Sequence, residues 1–243
     1  MVRVKLISFA AVILVAQPSY AAPVVSAPAA SRPAASKELA LEVARLGQPT
    51  ALLVEGVLKG YDQAAAKERE HPGEESIALE KQFPGFLGKL QARGREELAA
   101  LMAERAPVLH ERLAEVYAAN LSDADMRSVI AFFQTPTGKK FIRSMALSPP
   151  AGNAADDLKL TEAEVAAAGK SAAAYSLKQM SGDEWVELVK FGASPAGRAN
   201  RALNAKVQPV VATIMTEIMT DFTKRMQPIT MEVLEPYSAA AGK

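Results

Sequence analysis

The sequence predicts an all-α fold of stacked helical hairpins, and three observations carry that expectation. A unit of helix, corner and helix occurs twice in constant register. Aromatic residues make up 6% of the chain, while alanine and leucine abound, a composition that favours helices over sheets. Apolar residues recur at helical spacing through most of the length.

The first unit runs from Leu121 to Lys139 and the second from Met180 to Arg198. Ser122 aligns with Ser181, Asp125 with Glu184, Val129 with Leu188 and Phe132 with Phe191. Thr135-Pro136 aligns with Ser194-Pro195, Gly138 with Gly197 and Lys139 with Arg198. Ser122 and Ser181 are good N-caps, since a hydroxyl accepts from an otherwise orphaned amide. Ser181 with Glu184 makes a full capping box, and Ser122 with Asp125 a shorter version. A buried stripe is expected on each helix: Met126, Val129, Ile130 and Phe133 in the first, Trp185, Leu188 and Val189 in the second.

Each helix must stop before its proline, because the residue ahead of proline is pushed out of the helical region. Proline fits the first position of a new helix. Thr135 and Ser194 therefore read as N-caps of a second helix. Gly138 and Gly197 fall in its first turn, where glycine is worse than alanine by roughly 1 kcal/mol. Their presence in both units implies an approach too close for a Cβ. Lys139 and Arg198 follow, near the positive end of the helix dipole, where a cation is mildly unfavourable. One reading is a tight corner whose cation bridges to a carboxylate. The other is an anion site built from Thr135, Gly138, Lys139, Ser194, Gly197 and Arg198, since free amides at a helix start attract negative charge. Thr137-Gly138-Lys139-Lys140 is not a P-loop, because it lacks the upstream glycine and the hydroxyl residue after the lysine.

This unit, [Ser/Thr]-x-x-[Asp/Glu], an apolar helix with a central Phe, then [Ser/Thr]-Pro-x-Gly-[Lys/Arg], resembles the bacterial secreted family known as domain of unknown function 2059 (DUF2059). The resemblance is best from about Ala114 to Met145, and the second copy extends it to about Val207. It implies an export signal and an all-helical fold, and it brings no catalytic residues. The second copy has Gly192 where the first has Phe133, so its stripe is thinner there.

Residues 1–21 read as a secretory signal peptide. Arg3 and Lys5 supply the positive start, Leu6 to Ala16 the apolar core, and Ser19-Tyr20-Ala21 the small residues before cleavage at Ala22. The core is short for a membrane span, so no transmembrane span is expected after cleavage. Loss of Arg3 and Lys5 leaves 26 of the 28 Lys+Arg against 27 Asp+Glu, a net charge of −1. No long basic run occurs, so nucleic acid is not an expected partner. The absence of cysteine removes disulfides, thiolate metal sites and cysteine nucleophiles together. An exported chain without disulfides has to be held by its apolar core.

Residues 22–36 carry Pro23, Pro28 and Pro33 among alanines and serines and read as a flexible linker. The helical domain is expected over 37–237, with one lobe at about 37–147 and another at about 158–237. Ser36 caps a helix closed by Gly47, and Pro49-Thr50 begins the next. His71-Pro72-Gly73 is a turn, Glu75 to Gln82 a short helix, and Phe83-Pro84-Gly85 a corner. From Phe86 to Ala119 the pattern is helical, with Pro107 expected to kink or split it. Ser148 to Asp157 is the expected lobe boundary. Thr161 and Glu164 form a further capping box, opening a helix expected to break at Gly169. Beyond Pro195 helix is expected to about Met226, kinked at Pro209, with Val207, Val211, Ile214, Ile218 and Phe222 on one face and Met215, Met219 and Met226 beside them. Those methionines read as core before they read as an adaptable binding surface. Pro228 and Pro236 should punctuate a short last segment, and residues 238–243 should fray.

Little chemistry is legible. His110-Glu111 starts a zincin-like string, but Ala114 stands where the second histidine belongs. A zinc site would have to join His71 and His110 with a carboxylate, and His110 reads instead as lying on a polar helix face. No nucleophile elbow and no Ser-x-x-Lys occur. No metal and no cofactor are expected. The leading reading is a non-enzymatic binding or interaction module of the bacterial cell envelope, periplasmic or secreted, taking an apolar ligand or a protein partner, with homodimerisation through the 207–226 helix as a further possibility. The alternative is an envelope hydrolase acting on an anionic substrate held at the Pro-x-Gly corners.

Overall fold

A computed structural model describes residues 36–148 and 162–241, and among these every regular element is a helix. Ten helices follow in order: α1 (Lys37–Gly47), α2 (Thr50–Glu70), α3 (Glu74–Gln82), α4 (Phe86–Asn120), α5 (Asp123–Gln134), α6 (Pro136–Ala146), α7 (Glu162–Lys178), α8 (Gly182–Ala193), α9 (Pro195–Ala202) and α10 (Asn204–Ala241). The expected signal peptide, the linker up to residue 35, most of the lobe boundary and Thr161 lie outside the described residues.

Local signals set most of the boundaries. Ser36 accepts from the Leu39 amide at the start of α1. The turn at 71–73 separates α2 from α3. Gly85, at φ 80°, makes the corner before α4 in a left-handed conformation that favours glycine. The helix expected beyond Pro195 is interrupted at the buried Leu203, between the end of α9 and the start of α10.

The breaks expected at Gly169, Pro228 and Pro236 do not occur, and Pro107 does not split its helix. α4 runs unbroken through Pro107, and α10 through Pro209, Pro228 and Pro236 as far as Ala241. α7 passes through Gly169. Proline removes one hydrogen bond to the carbonyl four residues earlier. Those carbonyls belong to Ala103, Ala205, Lys224 and Glu232, all exposed, where water can take up the lost bond. The opposite face of each helix stays packed, and that packing holds the rod together.

α4 is the hub, about 52 Å long at 1.5 Å per residue. It packs against α10, α1, α2 and α3. The face of α10 bearing Val207, Val211, Ile214, Ile218 and Phe222 is buried, as are Met215, Met219 and Met226. The Phe222 ring meets Tyr61 edge-on at 6.4 Å. This apolar face is used inside the chain, so a dimer through the 207–226 helix would have only its polar side to offer. Ion pairs line the α4–α10 seam: Arg105 with Asp221, Arg112 with Glu217 at 3.0 Å, and Arg225 with Glu97 at 3.0 Å and Glu104 at 2.7 Å. The buried apolar residues, Ala65 apart, form one cluster from Ala40 to Val233.

Replacing Pro228 with alanine restores an amide to the middle of α10 at an exposed position. Pro228→Ala is expected to raise stability by about 1–2 kcal/mol, the recovered helix bond outweighing the added freedom of the unfolded chain. A urea midpoint that is unchanged or lower would show that the proline is better tolerated than this.

Candidate functional site

The two corners are built alike. Thr135 and Ser194 each cap the following helix, accepting from the amides of Gly138 and Gly197 at 3.0 Å. Each hydroxyl also donates backward, Thr135 to the Phe132 carbonyl at 2.9 Å and Ser194 to the Phe191 carbonyl at 2.6 Å. The same carbonyls accept the Thr135 and Ser194 amides, at 3.0 and 2.9 Å. Each unit thus folds around one doubly bonded carbonyl, that of its central phenylalanine.

The glycines follow from that carbonyl. A Cβ on Gly138 would stand 2.1 Å from the Phe132 oxygen, and one on Gly197 would stand 2.0 Å from the Phe191 oxygen. Backbone, not a flexible side chain, occupies the space, so no rotamer change relieves the clash. The close approach expected from the sequence is present, made by the unit's own preceding helix.

The geometry leaves few donors for an anion. Proline lacks the first amide, the cap hydroxyl takes the third, and the cap carbonyl takes those of Lys139 and Arg198 at 2.9 and 3.0 Å. One further amide per corner remains, on the buried residues Thr137 and Ala196. The cations part ways. Arg198 donates to the Ala193 carbonyl, and Arg201 to that of Gly192 at 2.9 Å, so both sit on the negative end of α8. Lys139 is exposed and makes no ion pair among the described residues. The neighbouring Lys140 pairs with Glu184 at 2.6 Å. That ammonium, with the Ser181 amide, holds the Glu184 carboxyl below the usual carboxylate range. Arg201 was not singled out by the sequence, since its counterpart in the first unit is Ile142.

The units face one another through equivalent residues. Phe132 stacks on Phe191 with ring centroids 4.0 Å apart and planes 5° apart. α5 packs on α9, and α6 on α8. Thr137 donates to the Glu187 carboxylate across the same contact.

The outer faces differ. Met126, Val129, Ile130 and Phe133 of α5 are buried as expected. α1 lies on α5, with the Ser36 amide on Asp123 at 2.9 Å and Gln134 on Glu42 at 3.4 Å. The buried stripe expected on α8 is not found: Leu188 is buried, but Trp185 is 44%, Val186 48% and Val189 49% exposed. The physical reason is that, among the described residues, no helix lies on the outer face of α8 as α1 lies on α5. Gly192, in the place of Phe133, also removes the ring that would anchor such a helix.

A second feature lies where α1 ends, α2 begins and α4 passes beneath. An open groove of about 380 Å³ is lined by Leu41, Arg45, Pro49, Thr50, Pro107, His110 and Glu111. His110 is not on a polar face but buried, at 5% exposure, with Nε2 2.6 Å from the Gln48 carbonyl. A carbonyl accepts, so Nε2 carries the proton in the neutral ring. Burial pushes the His110 imidazole below its ordinary value, opposed by the Gln48 bond and aided by the Arg45 charge. Gly47 and Pro49 mark the turn between α1 and α2 in the sequence, but no local pattern shows that this turn lies over His110. Among the described residues no three His, Asp or Glu side chains gather as metal ligands, and no helix is long and apolar enough to cross a membrane.

Two outcomes test this description. Gly138→Ala and Gly197→Ala are each expected to lower stability by about 3 kcal/mol, the upper range for overpacking, because the obstacle is pinned backbone. Lys139→Ala should stay within about 0.5 kcal/mol; equal effects in thermal unfolding would refute the corner account. Separately, the unfolded chain takes up a proton on His110 before the folded one does, because the folded value lies below 6.5. His110 therefore contributes stability that is present above about pH 6.5 and lost as pH falls below it. Urea midpoints over about pH 5–8 should show this fall, and His110→Gln should flatten it.

No curated protein and no solved structure matches the chain. Residues 108–153, from the middle of α4 past the end of α6 and so through the first Thr-Pro corner, match the bacterial family described as "Uncharacterized protein conserved in bacteria (DUF2059)".

Proposed function

We propose that this protein is an exported, non-enzymatic interaction module of the bacterial cell envelope that receives an amphipathic helix of a partner protein on the outer face of α8. The observation that carries this reading is the exposure of Trp185 and Val189, whose counterparts in α5, Met126 and Ile130, are buried in a helix packed against α1; Val186 beside them is exposed as well. Contiguous exposed apolar side chains mark interaction surfaces more often than accidents. The molecule contains its own example of the contact, because α1 presents Ala40, Val43, Ala44 and Gly47 as a small aliphatic stripe. A partner helix of that type would seat on α8 by the helix-in-groove mode. Three half-exposed side chains fall far short of the ~800 Å² per partner typical of a stable complex. The contact therefore belongs to the weak, transient class.

Trp185 is the one tryptophan of the chain, so its emission reports directly on this face. Titrating the protein with a synthetic peptide of residues 36–48 is expected to shift that emission to the blue in a saturable way. Val189→Asp should abolish the shift and leave thermal unfolding unchanged. A shift that is absent, or equal in the variant, would remove the basis of the docking reading. For the export half, the protein recovered from the envelope fraction should begin at Ala22; an intact Met1 would contradict it.

A further inference from the structure

The groove at the α1–α2 junction has no part in the α8 reading and stands on separate observations. Its apolar walls are Leu41, Pro49 and Pro107, contributed by three different segments of chain. Its charged groups are Arg45, on α1, and Glu111, on α4. Both are exposed, and neither forms an ion pair among the described residues, although they line the same space. Elsewhere in the molecule opposite charges carried on neighbouring helices do meet, as Arg105 meets Asp221 and Arg143 meets Glu55 at 2.8 Å. At the groove the two remain apart, with His110 buried between α4 and the end of α1. His110 uses Nε2 on the Gln48 carbonyl, which leaves Nδ1 as an acceptor with no hydrogen bond among the described residues.

The groove therefore offers a cation, an anion, an imidazole acceptor and an aliphatic lining in a volume suited to a small molecule. We infer that it binds a small zwitterion with an aliphatic body, an amino acid or short peptide, whose carboxylate pairs with Arg45 and whose ammonium is received by Glu111. Guanidinium matches a carboxylate in two parallel hydrogen bonds, which gives orientation as well as attraction. The ammonium supplies the donors that Glu111 and the His110 ring can accept. Prolines in the walls keep the lining stiff, so little ordering is required on binding.

The test uses the full chain in calorimetric titrations with L-leucine, leucyl-leucine, leucyl-leucine methyl ester and N-acetyl-leucyl-leucine. Saturable binding of leucine or the free dipeptide is expected, and which of the two binds more tightly sets the length of ligand that the groove takes. Arg45→Gln should weaken ligands with a free carboxylate by about tenfold or more and leave the ester unaffected. Glu111→Gln should weaken ligands with a free ammonium and leave the acetylated dipeptide unaffected. Both side chains are exposed, so both variants should fold, which circular dichroism verifies. Val189→Asp should leave all four titrations unchanged, separating this site from the α8 face. No binding by any of the four, or binding indifferent to both charge substitutions, overturns the inference.

Discussion

One backbone carbonyl in each unit, that of Phe132 and that of Phe191, sets the geometry of the second half of this molecule. It ends one helix, accepts from the amide and the hydroxyl of the capping residue, and crowds the glycine three residues beyond. Proline gives the next helix its start without an orphaned amide. Each requirement restricts a different position, and together they leave the chain one way to turn. The phenylalanine that supplies the carbonyl also supplies the ring that stacks on its counterpart, so the corner and the contact between units are made by the same residue.

The same constraint explains the behaviour of the basic residues. An arginine in the first turn of α9 opposes that helix's dipole, yet the sharp turn brings it back onto the carbonyl end of α8. There its charge is favourable. A position that looks electrostatically wrong within one helix becomes right once the preceding helix is close behind it. The first unit uses the adjacent lysine, Lys140, to reach Glu184 in the second. The cation after the glycine is thus used locally in the second unit, while in the first the inter-unit pair falls to its neighbour, and the anion-binding reading loses donors at both corners to the protein's own groups.

The two units diverge where other elements reach them. α1 covers α5, and in doing so also brings Gln48 over His110 and forms one wall of the groove. Among the described residues α8 receives no such cover. The exposed Trp185 face and the charged groove are consequences of one asymmetry, the placement of a single short helix on one copy and not on the other. The long α4–α10 pair, with its buried aliphatic seam and flanking ion pairs, provides the rigid frame on which that asymmetry is displayed. Exposed ion pairs of this sort contribute little each, so the frame is held chiefly by the apolar face.

The sequence by itself determined the helical class, the capping boxes of α5 and α8, both corners and nearly all helix starts, because those features arise from contacts within three to six residues. It also marked the stripes of α5 and α10, since helical spacing of large aliphatic residues leaves little choice of face. It misjudged whether Pro107, Pro228 and Pro236 break their helices, because the cost of a missing amide depends on whether water reaches the freed carbonyl. Only the tertiary structure decided that Trp185 and Val189 face outward and that His110 faces inward. Both depend on where α1 lies, and α1 is tied to α5 by a hydrogen bond between residues 87 positions apart, Ser36 and Asp123. Local pattern states which side of a helix is apolar, whereas burial requires a second element to arrive, and its arrival is settled by packing across the whole chain.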